Sequence, residues 1–193
     1  VQTDAPVSVV STIRFDDNTL GRKKRDELKA LLESCRGQKH VVVIQNYPDP
    51  DAISTGLAHR VISEAHDIHV DILYAGQISH PENIALVKLL GIEMRRWESG
   101  LDLSQYQGAV FVDNQGTTAG PIVDALQAAK VPELIVVDNH ELQNRLKPGF
   151  SDIRKVGATA TIFADYFREE LVTLERSKKE HIMAATALMH GLR

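Results

Sequence analysis

Between Val41 and Ile62 the chain changes its hydrophobic period, and that change limits what the whole can fold into. Residues 41–44 (Val-Val-Val-Ile) are a short β-branched run of the kind that fills a buried parallel strand. Pro48-Asp49-Pro50-Asp51 follows, two prolines alternating with two acids. Beyond it Ile53, Leu57, Ala58, Val61, Ile62 and Ala65 recur at helical spacing. Asp49 suits an N-cap and Pro50 the first helical position. Two carboxylates, Asp49 and Asp51, therefore stand where a strand ends and a helix begins, the edge at which open α/β sheets bind ligands.

The same alternation continues along the chain. A helix is expected over 18–33 and closes at Gly37. Strands are expected over 68–74, 93–97 (short, polar, near an edge), 109–112 and 134–137. Helices are expected over 81–90, stopping at Gly91, then over 122–130 after a turn at 116–120, over 157–174 and over 178–189. Residues 141–153 read as a loop turning at Pro148-Gly149. Val7 to Val10 suits a strand or an ordered arm. Strands alternating with helices predict an α/β fold with a doubly wound, mainly parallel sheet flanked by helices. The expected organisation is an N-terminal arm over 1–17 and one α/β domain over 18–193.

The bulk numbers exclude little but exclude it clearly. A net charge of −4 argues against broad nonspecific nucleic-acid binding, though not against a local basic groove. The basic run Arg22-Lys23-Lys24-Arg25 reads as a solvated helix face. No apolar run approaches the length of a membrane span. Cys35 is the one cysteine, so no internal disulfide exists, and a cytoplasmic setting fits better than a secreted one. His59, His66, His69 and His80 are scattered over different elements and read as packed or solvated residues. Trp97, after Arg95 and Arg96, reads as packing at a strand end ahead of base stacking, and Tyr47 as packing or a rim contact with substrate.

The chemistry lies in what the strands deliver. Three separate apolar runs end toward an acid: Asp49 and Asp51, then Asp113, then Asp138, with His140 beside it. The carboxyl ends of parallel strands share one edge, so these acids converge. Crowded carboxylates repel unless a positive charge sits among them, and the natural occupant is one divalent cation or two bridged by a shared carboxylate. Gly157-Ala158-Thr159-Ala160-Thr161 opens a helix with small residues, where free amides and the helix dipole favour a phosphate; Arg154 and Lys155 precede it. A dinucleotide-binding domain would need a glycine-rich turn in place of Asn46-Tyr47-Pro48, and a P-loop enzyme a Gly-Lys-Ser or Gly-Lys-Thr, which is absent.

In order, Pro48-Asp49-Pro50-Asp51-Ala52, Asp113, Asp138-Asn139-His140 and Gly157-Ala158-Thr159-Ala160-Thr161 resemble the four motifs of the DHH phosphoesterase superfamily. That superfamily includes oligoribonucleases that also act on phosphoadenosine phosphate, cyclic-dinucleotide phosphodiesterases, RecJ-like exonucleases, family II pyrophosphatases and exopolyphosphatases. The resemblance is strongest to the oligoribonuclease and phosphoadenosine-phosphatase branch, and covers roughly residues 38–193. It implies a metal-dependent phosphoesterase using one or two Mn2+ or Mg2+ ions. The substrates it implies are short oligonucleotides, nucleotide bisphosphates or cyclic dinucleotides. Asp49 would hold the first metal, Asp51 the second, and Asp113 would bridge both. Gln45 and Asn139 stand at metal-ligand positions. Asp138 and His140 would orient neighbouring groups or contact the scissile phosphate. Gly157, Thr159 and Arg154 would lie near the substrate.

Departures from the family pattern matter as much. Gln45 replaces a histidine before the first motif, and Asn139 the middle residue of Asp-His-His. An amide oxygen is harder and weaker than imidazole, which tilts such a site toward Mg2+ or Mn2+ and leaves one of two sites open to loss. In the family, the stretch resembling Ala187-Leu188-Met189-His190-Gly191-Leu192-Arg193 is followed by a further metal-binding Asp and by a second domain that grips the substrate. The expectation is therefore a catalytic-domain fragment of a longer protein. The alternative is a degenerate domain that binds a nucleotide or a protein partner without turnover. The oligomeric state is left open, a dimer included.

Overall fold

The computed structural model describes residues 17–192. The elements run α1 (Asp17–Ser34), β1 (Lys39–Val43), α2 (Pro50–Ala65), β2 (His69–Tyr74), α3 (Pro81–Leu90), β3 (Arg95–Arg96) and β4 (Gly108–Val112). After one 3-10 turn, Thr117–Ala119, come α4 (Gly120–Ala128), β5 (Glu133–Asp138), β6 (Phe150–Ile153), α5 (Thr159–Arg168) and α6 (Lys179–Gly191). All strands are parallel, in the order β3-β2-β1-β4-β5-β6. This is the doubly wound sheet expected from the sequence. The winding reverses between β1 and β4, which are neighbours although two strands separate them in the chain.

The period-2 rule divides the strand side chains between two cores. Val42, Ile44, Val110, Val112, Ile135 and Val137 face a layer made by α1, α2 and α5, where Leu28, Leu32, Ile62, Phe163 and Tyr166 pack. Val41, Val43, Ala109, Phe111 and Val136 face the opposite layer, under Ile122, Val123 and Leu126 of α4. Because both faces are covered, β1 and β4 read as unbroken apolar runs. A third cluster joins α2 to α6 through Ile53, Leu57, Met183, Ala184 and Ala187. Among the described residues no helix is long and apolar enough to cross a membrane.

Two expectations need correction. Residues 150–153 are not loop but the edge strand β6. Its sequence, Phe-Ser-Asp-Ile, shows no apolar run, because its second inward position is the buried Asp152. That carboxylate accepts hydrogen bonds from Arg154 and from the Tyr166 hydroxyl, so a polar residue fills a core position. The expected helix over 157–174 starts later and ends earlier, at Thr159–Arg168. Glu170 takes a left-handed φ of 58°, which turns Leu171 and Val172 back into the core instead of continuing the helix. The suggested strand at Val7 to Val10 lies outside the described residues.

The end of α6 fixes the start of α2. A Cβ on Gly191 would collide with Ser54 Oγ and lie 3.2 Å from the Pro50 carbonyl oxygen. Only glycine allows this approach, which sets the last turn of α6 against the turn carrying Asp49 and Asp51.

Candidate functional site

The candidate site lies at the carboxyl edge of the sheet, at the β1/β4 switch point, where doubly wound folds usually bind ligands. Four connections meet there. The loop after β1 crosses to the loop after β4, where Asn46 N–H donates to the Thr118 carbonyl. Asp49 caps α2, its Oδ1 accepting from Ala52 N–H at 2.9 Å. Asp51 sits in the first turn of α2. Its carboxylate reaches across to the start of α5 and accepts from Thr159 N–H and Ala160 N–H, each at 2.7 Å. Helix α5 has no cap from its own N-cap side chain, so Asp51, distant in sequence, performs that role.

Asp113 follows β4 directly and adopts a left-handed φ of 55°, a conformation that Asp tolerates better than most residues. It is almost wholly buried, and its Oδ1 lies 2.9 Å from the Thr159 hydroxyl. Burial, with the charges of Asp51, Asp49 and Asp138 close by, pushes its carboxyl up to about 8. Burial also raises Asp51 above the ordinary carboxylate range, against the opposing pull of the two α5 amides. Asp51 and Asp113 thus meet at Thr159, and the charges of Asp49 and Asp138 act on Asp113 from nearby. Among the described residues no lysine or arginine forms an ion pair with Asp49, Asp51, Asp113 or Asp138.

Asp138 is the last residue of β5 and is fully buried. Its Oδ2 accepts from Gln115 Nε2 at 2.7 Å, and its Oδ1 from Asn139 N–H at 2.9 Å. His140 Nδ1 lies 2.8 Å from the same Oδ1. In the Nδ1–H tautomer His140 donates to this oxygen and presents Nε2 on an exposed ring. Asp113, Asp138 and His140 each offer an atom within 4.8 Å of the others, so together they form a candidate metal cluster. Within it Asp138 accepts two of these hydrogen bonds on Oδ1 and one on Oδ2, and Asp113 Oδ1 faces the Thr159 hydroxyl.

The remaining expected site residues are placed as follows. Asn139 is half-buried; its Nδ2 donates to the Val156 carbonyl at 3.1 Å and its Oδ1 lies 3.0 Å from the Thr159 hydroxyl. Gln45 is half-buried just beyond β1, and Gly157 is exposed, with open space where a Cβ would stand. Arg154 pairs with Asp152 at 2.7 Å and with Asp165 at 2.9 Å, its side chain mostly buried against Tyr166.

Sequence reasoning passed over Asn114 and Gln115. Asn114 Nδ2 donates to the Val43 and Val112 carbonyls and its Oδ1 accepts from Gly116 N–H, which stitches the β1 and β4 ends together. Gln115 donates to Asp138 and to the Glu141 carbonyl and accepts from Gln143 N–H. The available signal was a pair of amides directly after a strand-ending acid, a pattern that an ordinary turn also shows.

No family model matches the chain. The fold is shared with an exopolyphosphatase-related protein from Bacteroides fragilis, at a TM-score of 0.65 and 14% identity over 89% of this chain and 49% of that one. At that identity the likeness is one of fold, and it gives the domain the doubly wound architecture that the DHH-type motifs pointed to. A manganese-bound RecJ exonuclease aligns less closely, with 18% identity and a TM-score of 0.46 over 86% of this chain and 42% of its own. In sequence, the chain is 32% identical over 173 residues to an uncharacterized protein, MJ1633, of Methanocaldococcus jannaschii. The match takes in 89% of this chain and 33% of the relative, so the chain spans about a third of that protein's length.

Proposed function

We propose that the domain is a metal-dependent phosphoesterase of the DHH type. Its substrates are small phosphorylated molecules: short oligonucleotides, nucleotide bisphosphates or cyclic dinucleotides. The observation that carries this is the meeting of Asp49, Asp51, Asp113 and Asp138 at one switch-point cleft with no paired lysine or arginine among the described residues. Burial and the acids around Asp113 push its carboxyl up to about 8, as expected where acids crowd without a counterion, and oxygen donors with one imidazole suit Mn2+ or Mg2+.

Asp113, with Asp49 and Asp51 and with His140 beside it, would hold such a cation. It would supply Lewis-acid polarisation of a phosphoryl oxygen and a lowered pKa for bound water. The chain's own residues do the rest. Asp138 keeps His140 in the Nδ1–H form, so that Nε2 is free to bind or to accept a proton. Gln115 holds Asp138 in place from behind.

We further propose that this is the catalytic unit of a longer protein in which a second domain faces the cleft; the relatives' greater length supports that reading. A second reading, binding without turnover, is favoured by Asn139, whose amide is already engaged with α5 and Val156. The test is hydrolysis of a phosphodiester with Mn2+ and with EDTA, by this chain, by Asp113→Asn and by a longer natural form. Turnover that needs the ion, and fails in Asp113→Asn, supports the enzyme. Ligand binding untouched by chelator supports the binding domain. Equal turnover by the short and long forms sinks the divided cleft.

A further inference from the structure

We propose that a shallow pocket beside Asp138 binds the base of a nucleotide substrate, so that the site prefers nucleotides to base-free phosphate esters. The inference rests on the phosphoesterase reading above. The pocket encloses about 170 Å3 on the α4 side of the sheet, where residues of the loop over 141–149 face β5 and β6. Val136, Ser151 and Ile153 line it, and the strand register pairs Val136 with Ser151 and Asp138 with Ile153. Val136 and Asp138 are two residues apart on one strand, so they share a face and stand about 7 Å apart. Gln115 belongs to both places: it lines the pocket and donates to Asp138 at 2.7 Å. A ligand whose phosphate meets Asp113 and His140 therefore has the pocket two strand positions away, a span that the sugar of one nucleotide covers.

The lining selects a flat ring. Two paired strands make the floor, and Val136 and Ile153, with Leu142 and Leu146 of the loop, make it apolar. Leu142 is 64% exposed, a large apolar side chain that a bound ring would cover. Pockets for drug-sized molecules run to about 300–1,000 Å3, so this one takes a single ring system. A bare sugar or phosphate would find few hydrogen-bond partners on such a floor. The polar groups belong to exposed residues: the Ser151 hydroxyl, the Asn144 amide and the Arg145 guanidinium. Together they offer donors and acceptors, which the edge of a nucleobase requires. Arg145 is held by an exposed ion pair to Asp124 at 3.2 Å, a weak tie that leaves its guanidinium able to lie over a ring. Gln115 also fixes the loop, through the Glu141 carbonyl and Gln143 N–H, so the pocket and the acidic site share one wall.

The experiment is calorimetric titration of the whole chain, in Mn2+, with adenosine monophosphate and with ribose 5-phosphate. The nucleotide should bind about 10-fold tighter, the size expected of one stacked base. Ser151→Phe fills the pocket from an exposed strand position. It should bring the nucleotide to the level of ribose 5-phosphate and leave ribose 5-phosphate unchanged. Leu142→Ala, an exposed loop position, should lower the preference for the nucleotide several-fold, with urea melts checking that both variants fold. Equal affinities in wild type, or a preference that survives either substitution in a folded variant, would overturn the base pocket and leave the phosphoesterase reading standing. Failure of both compounds to bind would overturn that reading and this inference with it.

Discussion

Replacing His59 by leucine should stabilise the protein more in acid than at neutral pH. His59 lies in α2 and is fully buried, edge-on to Phe163. Neither of its ring nitrogens has a hydrogen-bond partner among the described residues. Burial, with smaller contributions from His40 and His66, lowers it from 6.5 to about 3. Its folded-state value is depressed, so its contribution is whole above 6.5 and is lost as pH falls toward about 3. The unfolded chain takes up the proton first, at a cost to stability of about 1.4 kcal/mol per pH unit in that window. Between pH 7.5 and pH 5 that comes to about 2 kcal/mol from His59. His40, lowered by burial to about 4, adds a similar amount in the same direction. His59→Leu removes the His59 part alone. Urea melts followed by the fluorescence of Trp97, the single tryptophan, should therefore show the variant's advantage over wild type widening by about 2 kcal/mol between those two pH values. Stability curves that run parallel in pH would refute the reasoning, since the ring would then be charged or hydrated in the folded state.

Three further expectations follow from named contacts. Gln115→Leu removes the donor on Asp138 Oδ2 and loosens residues 141–143; phosphodiester turnover should fall about 10- to 100-fold with the far-ultraviolet circular dichroism unchanged. Gly191→Ala forces a Cβ against Ser54 and Pro50 and should cost about 1–3 kcal/mol in urea melts. Arg154→Met leaves Asp152 and Asp165 without their partner and should cost about 3 kcal/mol while leaving KM unchanged; a raised KM would return Arg154 to the substrate.

The legible parts of this chain are those where one residue type has one physical reason. β1, β4 and β5 are covered on both faces, so their apolar runs stood out, and the acids that end them marked the cleft. Asp49 and Pro50 announced the start of α2, and the structure shows the capping bond. β6 was illegible because Asp152 is a core residue only through Arg154 and Tyr166, contacts that no periodicity records. The role of Asp51 was hidden for a similar reason. Its partners at Thr159 and Ala160 lie on another helix more than a hundred residues away, so its capping of α5 leaves no mark in the sequence around it. Gln115 needed the fold as well, since the loop it ties down begins beyond β5.

At one place on the sheet edge several acids gather with no lysine or arginine paired to them among the described residues. Anomalous diffraction from a crystal soaked in Mn2+ examines that place directly. The expected result is a peak in contact with the Asp113 carboxylate at about 2.0–2.3 Å. A saturating soak with no peak beside Asp113, or with the ion bound on another face, would contradict it.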